Sequence, residues 1–245
     1  MPTVRQRTEK SPSDQGLGQR VTDPVHSLYL AILRHYLADP RKLLEWHDKA
    51  RGDSGRPRKD LEVLKRASVL LTITSWETFV EGALESAFRD RLRSVTDPRE
   101  MRGTFREVVK GWMKRNKILA DNPERLADSA GGWKAVVQAE FASDLHNFHN
   151  PDSKKIRRIY QKYLEVDVTA KWRWRGVTST SACKQLDTLM TLRHKLTHSA
   201  EGMGGAGIFN YEAKAVVQLK DAVNAITLVE RLAECTLLAL PAFGI

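Results

Sequence analysis

"DLEVLKRASVLLTITSWETFVEGALESAFRDRLRS", residues 60–94, contains no proline, and only Gly82 interrupts it. Leu61, Leu64, Ser68, Leu71 and Ser75 form a heptad-like row along it, and Leu70, Ile73, Val80 and Leu84 supply a second apolar face. A helix apolar on more than one side needs neighbours on more than one side. This stretch therefore predicts the central member of an all-α bundle.

On its N-terminal side, "DPVHSLYLAILRHYLAD" (23–39) opens with Asp23 as a cap and Pro24 at the first helical position. Leu28, Ile32 and Tyr36 recur at four-residue steps and predict its buried face. A second short helix follows Pro40 and carries Leu43, Leu44 and Trp46, and the Gly- and Pro-rich 51–59 reads as a loop. Residues 1–22 are polar, with scattered Gly, Pro and Ser, and read as a disordered tail.

On the C-terminal side, 98–117 and 131–148 read as amphipathic helices joined by "NPERLADSAGG" (122–132). "PDSKKIRRIYQKYLE" (151–165) starts another helix. "VDVTAKWRWRGV" (166–177) has strand-like alternation, ended by Gly176. "STSACKQLDTLMTLRHKLTHS" (179–199) is helical, with Leu186, Leu189 and Met190 inward and Leu192 and Leu196 continuing that side imperfectly. A last helix runs from about Tyr211 to Leu240, with Val216, Leu219, Val223 and Ile226 as its seam and Pro241 as its stop. Strands and helices do not alternate, so a parallel α/β sheet is unsupported. The expected architecture is an antiparallel helical bundle over 23–245, with 97–170 as a helical insertion.

Charge is uneven along the chain. The formal net charge is +10, and residues 101–200 hold 19 basic against 10 acidic residues. Such a surface concentrates polyanions and favours a nucleic-acid partner over an acidic small molecule. Two cysteines, Cys183 and Cys235, are too few for a disulfide framework, which points to a reduced, cytoplasmic setting. No apolar run is long enough to span a bilayer, and the N-terminus lacks a secretory h-region, so no membrane partner is expected.

Each cluster of reactive side chains has a plain reading beside a chemical one. His146 and His149 stand three apart but lack a third ligand, so the expectation is no metal site and no cofactor. "GMGGAG" (202–207) lacks the Lys-Ser/Thr of a phosphate loop and reads as the region after a helix end. In "KWRWR" (171–175) an extended backbone would turn Trp172 and Trp174 inward and Lys171, Arg173 and Arg175 outward, where they could still contact RNA.

"RHKLTH" (193–198) is the densest cluster. Arg193 and His198 are five positions apart, about 140° around a helix and about 7.5 Å along it. They cannot share one face of a straight helix. Either the helix frays before His198, or two copies face each other across a two-fold axis. The plain reading is a basic helix C-terminus favoured by the macrodipole.

Arg193-x4-His198, with polar His194 after the arginine, resembles the R-x4-H motif of the HEPN superfamily. "TITSWETFVEGALE" (72–85), with Trp76-Glu77, resembles the Trp-Glu helix of the RiboL-PSP-HEPN and related branches. "WRWRG" and the segment leading to the motif are similar to the same groups. The resemblance covers about 60–95 and 165–240 and leaves the insertion unmatched. It implies a metal-independent endoribonuclease working as a homodimer on RNA, in a toxin–antitoxin or anti-phage defence setting with an antitoxin or defence-system partner protein. His198 would be general base or acid, Arg193 would hold the scissile phosphate, and His194 would position it or relay a proton. Lys195, with Lys171, Arg173 and Arg175, would contact RNA. Glu77 would orient a basic group from a neighbouring helix or form a structural ion pair. Some superfamily toxins carry a tyrosine, modified by a partner enzyme, two places after the histidine. Ala200 stands there, and Tyr211 is distant. The alternatives are a catalytically inactive HEPN-like module that binds RNA, nucleotides or protein, and a plain helical dimerisation protein.

Overall fold

The computed structural model describes residues 24–51, 61–115, 132–198 and 217–240. The elements in order are α1 (Pro24–Tyr36), α2 (Ala38–Arg51), α3 (Glu62–Ser94), a 3₁₀ turn (Pro98–Met101), α4 (Arg102–Arg115), α5 (Gly132–His146), α6 (Ser153–Leu164), a second 3₁₀ turn (Val168–Lys171), α7 (Ser179–His198) and α8 (Leu219–Ala239). Among the described residues there is no strand. The tail at 1–22, the loop at 52–59, Ala200, Tyr211, Val216 and the glycine run lie outside them.

α3 is the axis. It touches α1, α2, α6, α7 and α8, as its two apolar faces require. Its 33 residues rise about 50 Å, long enough to join the α1–α2–α8 end to the α5–α6 end. The buried hydroxyls on its faces are paired. Thr72 and Ser75 donate to carbonyls one turn back, both at 2.8 Å, and Ser68 donates to Pro40 O at 3.0 Å, docking the start of α2. Pairing every buried hydroxyl avoids a desolvation cost of about 1–3 kcal/mol each.

Residues of the 97–170 segment share this core. Phe141 of α5 stacks on Phe88 of α3 with centroids 4.1 Å apart, and Tyr163 of α6 sits edge-on to both rings. Glu140 is buried beside them and forms ion pairs with Arg115 and Lys162, the latter also 2.5 Å from Asp144. A charge this buried needs such partners.

The chain departs from the sequence-based expectations in two ways. In α1 the predicted face is the exposed one: Leu28, Ile32 and Tyr36 are 58%, 40% and 44% exposed, whereas His26, Leu30, Leu33 and Leu37 are buried. The two sets are two positions apart, about 200° around the helix, so the mixed three- and four-residue spacing marks the core side. Leu71, Trp46 and Val223 also face outward, and the α8 seam runs through Ala222, Ile226, Val229 and Leu232.

The second departure is 166–177, which holds a 3₁₀ turn and one isolated bridge, Trp174 to Val177, closed by Gly176 at φ +78. The side-chain alternation survives without a strand. Trp172 is fully buried, Trp174 half-buried, and Lys171, Arg173 and Arg175 exposed. Trp172 Nε1 donates to Thr236 Oγ1 at 2.9 Å, and its ring meets Trp76 edge-on at 6.0 Å. These contacts hold the start of α7 against α3 and α8.

Candidate active site

Trp76 and Glu77 are neighbours on α3 with opposite tasks. Trp76 is fully buried among Phe79 and Trp172, while Glu77, about 100° further round, reaches the rim of the core beside α7. There its carboxylate pairs with Arg193, which is 116 residues away in sequence. The same Nη1 donates to Asn150 Oδ1 at 2.6 Å, and Asn150 N donates back to Glu77 Oε1 at 3.2 Å. Glu77, Asn150 and Arg193 thus close a ring of three bonds. Nη1 uses both its hydrogens, and among the described residues Nε and Nη2, with three N–H donors, remain for another partner.

Asn150 reaches this place through an unusual backbone. Its φ of 52 lies in the left-handed region, which Asn tolerates better than most side chains. The turn leads directly into α6, whose first turn is fixed twice. Asp152 accepts from Lys155 N at 2.7 Å as the N-cap. Asp187 of α7 accepts from both the N–H and the hydroxyl of Ser153 at 2.9 Å. One turn and a half of α7 therefore grips the insertion with Asp187 and the Glu77 ring with Arg193.

The electrostatics are mixed. Glu81 lies one helical turn beyond Glu77. Partial burial, with the Glu77 charge adding to it, raises its carboxyl above the ordinary value, against a lowering by His149. A cleft of about 620 Å³ opens beside the ring, lined by Arg193, His194, Thr197, Asn150, Asp152 and Lys154 among others. His194 and Lys195 are exposed. α7 stays helical through His198, and the side chain of His198 lies outside the described residues.

The RiboL-PSP-HEPN family model matches residues 36–237 of the 245. The chain belongs to the RiboL-PSP-HEPN family. No curated protein and no solved structure matches it. The matched bounds enclose the segment at 97–170. The all-α bundle is the fold expected of a HEPN domain.

Of the predicted site residues, the RiboL-PSP-HEPN bundle brings Arg193 and His194 to one cleft. Lys195, Lys171, Arg173 and Arg175 are exposed but do not line it. His146 and His149 pack ring against ring at 6.4 Å, and among the described residues no group of three or more His, Cys, Asp or Glu is placed to hold a metal ion. Among the described residues no helix is long and apolar enough to cross a membrane. Asn150, Asp187 and Lys154 are the site residues that sequence reasoning missed. The one available signal was the "HNFHN" turn before Pro151, an Asn-rich break between two helices.

Proposed function

We propose that this HEPN domain is a metal-independent endoribonuclease that acts as a homodimer. The observation that carries the reading is the Glu77–Asn150–Arg193 ring at a cleft beside the helix that ends in His198. Fixing one edge of a guanidinium leaves its other N–H groups pre-aimed, which suits a phosphate that gains charge in the transition state. RNA carries its own nucleophile. His198 takes the proton from the 2′-OH as its oxygen attacks phosphorus, the P–O5′ bond breaks, and a protonated imidazole supplies the 5′-oxygen with its proton. The products are a 2′,3′-cyclic phosphate and a 5′-hydroxyl.

α7 does not fray before His198, so positions 193 and 198 of one chain stand about 140° apart around the helix axis. This favours pairing of two copies, with the histidine of one beside the arginine of the other. The toxin–antitoxin or anti-phage setting and a protein partner follow from the family as further parts of the proposal, and a cytoplasmic location follows from the two cysteines.

One observation favours a second reading, a catalytically silent module that binds RNA. Glu77 already offsets the charge of Arg193. Incubation of single-stranded RNA with the protein in excess EDTA separates the two. The ribonuclease reading requires cleavage that leaves cyclic-phosphate ends and stops when the nucleotide 5′ of the scissile phosphate is 2′-deoxy. Binding without cleavage supports the silent module, and cleavage of the 2′-deoxy substrate contradicts the 2′-OH mechanism.

A further inference from the structure

A second cleft, also about 620 Å³, lies between α4 and α6. Lys154 lines both it and the Arg193 cleft. The two are therefore consecutive along α6 and meet at one cation. α6 is built for two environments. Ile156, Ile159, Tyr160, Tyr163 and Leu164 are buried, while Lys154, Lys155, Arg157, Arg158 and Gln161 are exposed, and the helix carries no acidic residue.

The cations of α6 are not equivalent. Lys155 donates to His149 O at 2.7 Å, Arg157 bonds Asp167 and Thr169, and Lys162 is held by Asp144. These three serve the fold. Lys154 and Arg158 form no ion pair among the described residues. They are four apart and share a face, continued by Gln161. Just past the end of α6, Glu165 is bound by Arg91 at 2.8 Å and by Thr104 at 3.2 Å, so its charge is already compensated. Glu107 of α4 is the remaining carboxylate of the cleft.

Extending the ribonuclease reading, we infer that the α4–α6 cleft is a backbone-phosphate subsite for the flank of an RNA strand whose scissile phosphate sits at Arg193, with Lys154 as the hinge and Arg158 as its anchor. A strand leaving the Arg193 cleft past Lys154 enters this cleft directly. From Lys154 to Glu165 the chain rises about 16 Å, room for more than one phosphate of an extended strand. Two free cations on successive turns, with the Gln161 amide beside them, hold phosphates without reading bases. An acidic protein segment is the competing occupant. Continuity with the Arg193 cleft favours RNA.

The test uses the full chain and fluorescent 2′-O-methyl RNA of 4 and 12 nucleotides, which lacks the nucleophile and is bound without turnover. Arg158→Gln/Gln161→Glu should remove most of the affinity advantage of the 12-mer over the 4-mer, about tenfold, and flatten the dependence of log K on log salt by about 0.7 per lost phosphate contact. Glu107→Gln should tighten 12-mer binding, a gain that misfolding cannot mimic. Lys42→Glu, on α2, makes the same change of two charge units elsewhere and controls for loss of charge in general.

Equal weakening of both lengths would overturn the inference, since Arg158 would then act through the Arg193 cleft. So would an unchanged length advantage, or Arg158-dependent binding of polyglutamate without Arg158-dependent binding of RNA. A chain that shows the length-dependent binding yet fails to cleave unmodified RNA in EDTA would sink the catalytic reading and leave the subsite standing.

Discussion

Glu77 of α3 and Arg193 of α7 form an ion pair across 116 residues of sequence, and Asn150 bonds to both. The side chains are 16% and 29% exposed, so solvent screens the pair only in part. Glu77→Gln keeps the shape and removes the charge. It should cost about 1–2 kcal/mol of stability in chemical denaturation. As a positioning change it should also lower kcat for RNA cleavage roughly 10–100-fold, with KM altered much less. A proportional rise in KM at constant kcat would show instead that Glu77 tunes ground-state binding.

Asn150 is tested through its backbone. Asn150→Gly keeps the left-handed conformation and removes the Oδ1 contact with Arg193. Asn150→Ala removes the same contact and adds a strain of about 1 kcal/mol. The glycine variant should therefore melt above the alanine variant, while both lose cleavage to the same extent. Equal melting of the two would mean that the turn relaxes without cost.

Glu81 sets a pH dependence. Burial, then the neighbouring Glu77 charge, raises its folded-state carboxyl above the value in the unfolded chain. The folded state binds this proton more tightly, so stability falls as pH climbs from the ordinary carboxylate range through the raised value and levels off above it. Glu81→Gln should raise the Tm near about pH 7 and lose that advantage near about pH 3.5, where both states hold the proton. An equal Tm gain at both pH values would assign the effect to packing rather than to charge.

The bundle was legible because α3 advertises itself. A proline-free run apolar on two sides has few structural solutions, and Trp76 and Ile73 are buried as that run requires. α1 misled because Leu28, Ile32 and Tyr36 form a regular row while the core selects Leu30, Leu33 and Leu37, and one helix in isolation does not reveal which side its neighbours occupy. At 171–175 the inward tryptophan and outward cations were correct in kind, but bonding of Trp172 to Thr236 fixes the segment without a partner strand.

The shared cleft of Arg193 and His194 was legible, because both residues lie on one helix. The site was not legible for Asn150, whose contact with Arg193 depends on a single left-handed residue, or for Asp187, whose role appears only when α6 arrives beside α7. Long-range polar contacts leave no period in the sequence, whereas apolar faces do.

The most direct test of the central claim is single-turnover cleavage of one end-labelled RNA in excess EDTA by wild type, Arg193→Ala and His198→Ala, each shown to be folded by circular dichroism. The account predicts EDTA-resistant cleavage by wild type and a loss of at least about 10²-fold in either variant. Cleavage at the wild-type rate by both variants would contradict it.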